Sequence, residues 1–156
     1  MKMIFAVKCL ALGMLCFQTQ AADQKKSDEK AAELVGAYQI VSGEKGGKEI
    51  PADHFKGVAV RIAKNAITTL DKNKKEVYAA TYKLDTSTKP WGIKLTATIT
   101  PVGDEGTDGK GSTAAGLIQV DGNTVKLIYA LPQGQAPTEF KTHENQQMFI
   151  LKKTGD

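Results

Sequence analysis

Cysteine, arginine, histidine and long apolar runs are all scarce in this sequence. The two cysteines, Cys9 and Cys16, both lie near the amino terminus, inside a segment that we expect to be removed. The remaining chain then has no disulfide and no thiolate ligand for a metal, so the hydrophobic core alone has to hold the fold. A domain of about 135 residues buries nearly 70% of the surface of its unfolded chain, which is enough for that task.

The amino-terminal segment has the pattern of a secretory signal peptide. Lys2 and Lys8 supply positive charge, an apolar run follows at 9–17, and small residues occur at 19–21, where a signal peptidase cleaves. The apolar run is shorter than the roughly 20 residues that a membrane-spanning helix needs. We therefore predict a signal peptide at 1–21, an exported protein in the periplasm or outside the cell, and no transmembrane segment after cleavage.

The basic residues are almost all lysines. Only Arg61 among the 21 basic residues is an arginine, and the formal charge of +4 falls to +2 when Lys2 and Lys8 leave with the signal peptide. Specific recognition of bases and phosphates uses the arginine fork and a clustered basic surface. Because the lysines are interleaved with acidic residues along the chain, we expect no nucleic-acid partner.

The composition changes at Leu34. Residues 22–33 are charged and lack large apolar side chains, which predicts a flexible tether or a frayed helix. From 34 to 154, short runs rich in Val, Ile, Thr and Tyr alternate with Gly, Asn, Asp or Pro, as is typical of an all-β domain. A helical turn is predicted at 51–56. The mostly short connections between the strands favour an antiparallel meander, closed as a barrel or packed as a sandwich. The eight predicted strands lie near 35–42, 57–63, 66–71, 76–85, 91–100, 115–121, 124–131 and 147–153.

Alternation within the strands predicts which side chains face the interior. In three of them every second residue is apolar, aromatic or glycine, and the residues between are mostly polar. The predicted inward sets are Gly36, Tyr38 and Ile40; Tyr78, Ala80, Tyr82 and Leu84; and Trp91, Ile93, Leu95, Ala97 and Ile99.

A β-hairpin is predicted around Gly122 and Asn123. A two-residue turn of the primed type at these positions puts the apolar residues of both strands on one face, an agreement that a register shift of one residue would destroy. A glycine opposite an aromatic residue, as Gly116 is opposite Tyr129, is expected to make room for the ring. The predicted facing pairs are Asp121 with Thr124, Val120 with Val125, Ile118 with Leu127 and Gly116 with Tyr129.

Four motifs follow one another along the domain. They are Gly36-Ala37-Tyr38, Lys89-Pro90-Trp91-Gly92-Ile93, the hairpin from Gly116 to Val125, and Pro137-Thr138-Glu139-Phe140. In order and spacing they resemble a short lipocalin-like domain that recurs in exported planctomycete proteins. Tyr38 stands where that family more often has tryptophan, and Ile128 stands near a frequent cysteine. The resemblance implies an eight-stranded antiparallel meander closed as a lipocalin-like barrel, and it implies no set of catalytic residues.

Residues that commonly carry out catalysis or bind metals are few. The only histidines, His54 and His143, lie in separate predicted loops, and neither has a partner at the spacing of a metal site. No Gly-x-Ser-x-Gly motif occurs, and no cysteine remains to act as a nucleophile. We therefore expect that the protein is not an enzyme and binds no cofactor or metal.

The loop at 102–113 contains glycines and acids but departs from two known motifs. It lacks the spacing of a phosphate-binding loop, and the position that would be the twelfth of an EF-hand is Ala115 rather than glutamate. Weak calcium binding by Asp104, Glu105 and Asp108 is the alternative to an ordinary surface loop.

The predicted interior is rich in aromatic residues that carry a polar group. A buried Tyr or Trp needs a partner for its OH or NH, so these groups form an internal hydrogen-bond network or line a pocket that holds water or a ligand. An eight-stranded barrel permits both, since it is either packed solid or holds one small ligand. The candidate ligand-binding residues are Tyr38, Tyr78, Tyr82, Trp91, Ile93, Leu127 and Tyr129.

Two functions remain open. The first is an exported, non-enzymatic lipocalin-like protein that binds a small neutral or weakly polar lipophilic molecule in the barrel, in a cavity of about 300 Å³ or more. Arg61 is predicted to point outward, so no inward cation is expected to pair with a carboxylate. The alternative is a protein-interaction or inhibitor module with a solid core that acts through its surface loops. It predicts an exposed apolar patch formed by Leu131, Pro132, Pro137 and Phe140.

Overall fold

The computed structural model describes residues 19–99 and 111–156. Residues 1–18 of the predicted signal peptide lie outside this part of the chain, and so do the acidic residues of the loop at 102–113. The described residues form helix α1 (Thr19–Leu34), one 3-10 turn (Ala52–Phe55) and nine strands. The strands are β1 (Gly36–Lys45), β2 (Lys48–Glu49), β3 (Ala59–Ile62), β4 (Ala66–Leu70), β5 (Glu76–Asp85), β6 (Trp91–Ile99), β7 (Thr113–Asp121), β8 (Thr124–Ala130) and β9 (Gln146–Gly155).

Eight of these strands form a closed antiparallel β-barrel. The sheet order is β2-β1-β3-β4-β5-β6-β7-β8-β9, and β9 also pairs with β1, which closes the barrel. The short strand β2 pairs with the end of β1. Closure removes the unpaired edges that an open sheet would expose. The predicted fold, an all-β, eight-stranded antiparallel meander closed as a barrel, is confirmed.

The predicted hairpin is present as β7 and β8. All four predicted facing pairs occur in the structure, including Gly116 with Tyr129. Gly122 has a φ of 57°, which the primed hairpin turns require at their first central position. The hydrophobic pattern and the turn residues therefore specify the same register.

The inward sets predicted by alternation form the core, with one exception. Tyr38, Ile62, Ile118 and the other members of the core are almost fully buried. Ile99, at the end of β6, is 37% exposed and does not share the buried face. Its prediction was wrong because a register shift interrupts the β5–β6 pairing between Ala79 and Ala80, which breaks the two-residue alternation at that point.

The charged segment at 22–33 forms the body of helix α1. Its Ala, Lys, Glu and Gln residues are good helix formers, which accounts for a helix without a long apolar stripe. At its carboxyl end Leu34 is fully buried and Ala31 is 5% exposed, so the last turn packs on the barrel. Of the two forms predicted, tether or helix, the structure has the helix.

Side chains of α1 also contact the ends of β5 and β6. The hydroxyl of Ser27 donates a hydrogen bond to the carbonyl oxygen of Leu84 at 3.0 Å. The Nζ of Lys30 lies 5.7 Å from the centre of the Trp91 ring, within the range of a cation–π contact. Helix α1 therefore covers one end of the barrel and leaves the other end to the loops.

Candidate functional site

A cavity of about 230 Å³ lies at the end of the barrel opposite α1. Every barrel strand contributes to its wall, and residues on either side of the β8–β9 connection form part of the rim. The interior of an eight-stranded barrel is either filled by side chains or holds one small ligand, and here the lining residues lie toward the strand ends away from α1. Within residues 19–99 and 111–156, the barrel is therefore packed at one end and partly open at the other.

The floor of the cavity is apolar. Val60, Ile67, Leu95, Leu127 and Leu151 line it, and all five belong to the buried core. These side chains come from five different strands and point inward because the side chains of a strand alternate between its two faces. A ligand that reaches the floor would exchange water for hydrocarbon over most of its surface.

Aromatic rings form one side of the mouth. The ring of Phe149 packs edge-on against Phe55, with centroids 6.0 Å apart at 84°, and its centroid lies 6.4 Å from that of Tyr129. Gly43 of β1 makes this cluster possible, because a Cβ at that position would lie 2.7 Å from the ring of Phe55. The 3-10 turn thus supplies a ring that packs against Phe149, which lines the cavity.

The polar groups in the wall are neutral. Within the described residues, no Lys, Arg, Asp or Glu lines the cavity, and its polar side chains are hydroxyls and one amide. The hydroxyl of Tyr129 donates to Oε1 of Gln147, its partner across β8 and β9, at 3.3 Å. The wall can therefore offer hydrogen bonds to a ligand but has no charge with which to neutralise one.

Tyr78 differs from the other tyrosines of the interior. Its hydroxyl makes no hydrogen bond with the described residues. Every fully buried side-chain nitrogen and oxygen in that part of the chain has a partner, so this hydroxyl is not fully buried, and Tyr78 is one of the residues that line the cavity. Burial of the phenol raises the pKa of Tyr78, which keeps it protonated and able to donate at neutral pH.

Three of the seven residues predicted to bind a ligand line this cavity. They are Tyr78, Leu127 and Tyr129. The strand alternation of β9 also puts Gln147, Phe149 and Leu151 on the cavity wall. No alternation in "QQMFIL" at 146–151 indicates these three, because Met148 and Ile150, which lie between them, are also apolar.

The other predicted residues, Tyr38, Tyr82, Trp91 and Ile93, do not line the cavity. Tyr38 donates a hydrogen bond to the carbonyl oxygen of Leu34 at 2.8 Å, which ties β1 to the end of α1. Tyr82 donates to the carbonyl oxygen of Ala63 at 2.8 Å, and burial is the main cause that raises the pKa of Tyr82 to about 12. This half of the predicted interior is an internal network and not a pocket.

The apolar patch predicted at 131–140 is not exposed. Leu131 and Pro132 line the cavity, and Pro137 is buried. The large hydrophobic residues that are exposed in the described ranges are Val35, Val41 and Ile99. Phe140 is half-buried, so none of the four residues of the predicted patch is exposed.

Two buried polar residues fix this loop: Thr142 joins it to the turn between β1 and β2, and the side chain of Gln146 joins two parts of the loop. Thr142 is 3% exposed; its hydroxyl donates to the carboxylate of Glu44 and accepts from the backbone N–H of Gly47 at 2.8 Å. Gln146 is 4% exposed, and its Nε2 donates to the carbonyl oxygen of Gln135 at 2.9 Å. The rim next to Leu131 is therefore fixed by satisfied hydrogen bonds.

The histidines and acidic residues of the described ranges form no metal site. His54 and His143 are both exposed. Across 19–99 and 111–156, no three His, Cys, Asp or Glu residues are grouped so that they could hold a metal ion. The same ranges contain no helix with the length and apolar character needed to cross a membrane. Arg61 is exposed, as its strand position predicts.

Comparison of the chain with protein-family models, with curated proteins and with solved structures found no match. The class that the structure itself defines is a closed, eight-stranded antiparallel β-barrel with a cavity at one end. The chemistry of that cavity is therefore the basis on which a function can be assigned.

Proposed function

We propose that this chain is an exported, non-enzymatic lipocalin-like protein that binds a small, neutral or weakly polar lipophilic molecule in the barrel. The observation that carries the proposal is the cavity: 230 Å³ of space with an apolar floor and a neutral polar wall. Ligand sites are commonly concave, mainly apolar, and equipped with a few polar groups that fix orientation.

The volume indicates the size of the ligand. It is smaller than the value of about 300 Å³ expected from the sequence, which is also the lower end for sites of drug-sized molecules. An apolar cavity of about 150 Å³ accommodates benzene, so by proportion a cavity of 230 Å³ takes about nine non-hydrogen atoms. A longer molecule would extend through the open mouth.

The wall chemistry favours a neutral ligand. A buried carboxylate or ammonium without a partner is strongly destabilised, and none of the described cavity residues carries a compensating charge. A free fatty acid would leave its carboxylate at the mouth and not on the cavity floor. Uncharged molecules with one polar group match the wall better.

Export and family membership belong to the same proposal. The charged start, apolar run and small residues at 1–21 support secretion, and the four motifs that resemble the lipocalin-like domain support the assignment to a binding barrel. An interaction module with a solid core has less support, because Leu131 and Pro132, which it needs on the surface, line the cavity.

Native mass spectrometry of the mature protein, purified from its own host, tests the proposal. We expect a stoichiometric small molecule that is released on unfolding, and its loss in the variant Leu127→Trp, which fills the floor of the cavity. The matched control is Val41→Trp, which adds the same ring at an exposed position. Equal ligand content in both variants would contradict ligand binding in the cavity. So would the absence of a ligand in the wild type together with no NMR response of cavity amides to small neutral apolar compounds.

A further inference from the structure

The cavity has two polar pairs on opposite walls. Thr69 of β4 faces Tyr78 of β5, and Tyr129 of β8 faces Gln147 of β9, and all four residues line the cavity. In the order of the closed barrel, the β4–β5 pair lies half-way round from the β8–β9 pair. A bound molecule therefore lies between them.

The two pairs differ in how their hydroxyls are satisfied. The hydroxyl of Tyr129 already has an acceptor, the side-chain oxygen of Gln147. The hydroxyl of Tyr78 has none among the described residues, and it is not one of the fully buried groups. A hydroxyl that faces an apolar cavity without a partner loses hydrogen-bonding free energy whenever a ligand without an acceptor displaces the water.

The wall that carries Tyr129 also carries the aromatic cluster. Phe149 lies beside Tyr129 and against Phe55, so this side offers ring faces and edges. Aromatic groups pack well there in offset or edge-to-face arrangements. The cavity thus has an aromatic side and, opposite to it, a side on which the hydroxyls of Tyr78 and its neighbour Thr69 have no partner among the described residues.

From this asymmetry we infer that the ligand carries a carbonyl or ether oxygen that accepts a hydrogen bond from the hydroxyl of Tyr78, with its apolar or aromatic part against Phe149. The ligand class is a neutral ketone, ester, lactone or ether that places about nine non-hydrogen atoms, the acceptor oxygen included, inside the cavity. This inference deepens the proposed function and rests on it.

A pair of probes of equal size tests the inference. Acetophenone and cumene each have nine non-hydrogen atoms, and they differ in that only acetophenone has a carbonyl oxygen. Their dissociation constants are measured by ¹H–¹⁵N NMR titration of the wild type, of Tyr78→Phe and of Tyr82→Phe. The last variant is the matched control, because it removes a hydroxyl that donates to Ala63 and does not line the cavity.

We expect Tyr78→Phe to weaken acetophenone by about 3- to 10-fold, the effect of one hydrogen bond, and to leave cumene within about 2-fold. Tyr82→Phe should leave both probes unchanged. If Tyr78→Phe changes the two probes by the same factor, or changes neither, the inference is wrong.

The same titrations separate this inference from the proposed function. Both probes should lose binding in Leu127→Trp and in Ala114→Leu, a milder substitution that also fills the cavity. If these variants abolish the binding of both probes but Tyr78→Phe has no specific effect on acetophenone, the cavity is supported as the binding site and the hydrogen bond from Tyr78 to a carbonyl is refuted. If neither probe binds the wild type, both the proposed function and the inference fail.

Discussion

Replacing Gly116 with alanine tests how closely β7 and β8 approach each other inside the barrel. A Cβ built on Gly116 meets the carbonyl oxygen of Ile128, and it lies 3.0 Å from the Cβ and 3.1 Å from the Cα of Tyr129. None of these atoms belongs to a part of a side chain that can rotate away. Relief therefore requires a displacement of the backbone in two paired strands.

The expected cost is about 2 kcal/mol. Inserting a methyl group into a well-packed site typically costs about 1–3 kcal/mol, and a contact with backbone puts this substitution near the upper end. Alanine also lowers the conformational entropy of the unfolded chain relative to glycine, which offsets about 0.4–1 kcal/mol of this loss in unfolding free energy. At roughly 3–4 °C per kcal/mol for a domain of this size, the melting temperature should fall by about 6–8 °C.

Urea unfolding followed by circular dichroism and by Trp91 fluorescence measures this change. The control is Gly155→Ala in β9, since a Cβ there meets nothing within 4 Å, and its unfolding free energy should stay within about 0.5 kcal/mol of the wild type. Truncating the ring with Tyr129→Ala should not rescue Gly116→Ala, because the closest contact is the carbonyl of Ile128. A Gly116→Ala variant as stable as the control, or a rescue by Tyr129→Ala, would refute the reasoning.

Three further predictions concern the helix, the phenols and the loop. Leu34→Ala should lower the unfolding free energy by about 2–5 kcal/mol, because Leu34 is fully buried between α1 and the barrel. The control Val35→Ala, at a site that is 38% exposed, should lower it by less than about 1 kcal/mol in the same urea assay. Equal effects would mean that α1 is not docked on the barrel. The raised pKa of Tyr82, about 12 against 10.0 for the free phenol, gives a stabilisation that is complete below pH 10 and is lost as the pH rises from 10 toward 12. Tyr82→Phe should therefore flatten the decline of stability in that pH range, and an unchanged slope would contradict the assignment. Thr142→Ala removes the hydroxyl that donates to the half-buried carboxylate of Glu44 and should lower the unfolding free energy by about 1–3 kcal/mol, while Thr142→Ser, which keeps the hydroxyl, should recover most of the loss.

The strands could be predicted from the sequence because local signals agree with one another there. In the β7–β8 hairpin, the alternation of apolar residues and the Gly122-Asn123 turn each specify the same register, and the observed pairs match it. Where a non-local feature intervenes, prediction by alternation fails. Ile99 illustrates this, since the shift in β5–β6 pairing is set by the partner strand and not by the residues around Ile99.

The role of Gly116 shows a finer limit. The sequence suggests that the glycine makes room for the ring of Tyr129, and the two residues do face each other. In the structure, the nearest atom to a Cβ at Gly116 is the backbone oxygen of Ile128. The residue type was predictable, but the group that excludes a side chain depends on the distance between two backbones.

Helix α1 illustrates the same division. The composition of 22–33 permits a helix, but it has no apolar stripe from which the packing face of that helix could be predicted. Only the tertiary structure shows that Leu34 and Ala31 are buried and that α1 covers one barrel end. That coverage in turn decides which half of the interior is packed.

The sequence alone therefore determined the strands, their inward faces, the hairpin register and the supply of polar aromatic residues in the core, because each follows from a local period or turn. The tertiary structure decided that β9 closes onto β1. It also decided that the hydroxyls of Tyr38 and Tyr82 donate to backbone carbonyl oxygens, whereas the hydroxyl of Tyr78, which lines the cavity, has no partner among the described residues. Hydrogen bonds between distant residues and the space left after packing depend on all the strands at once, so no local pattern could specify them.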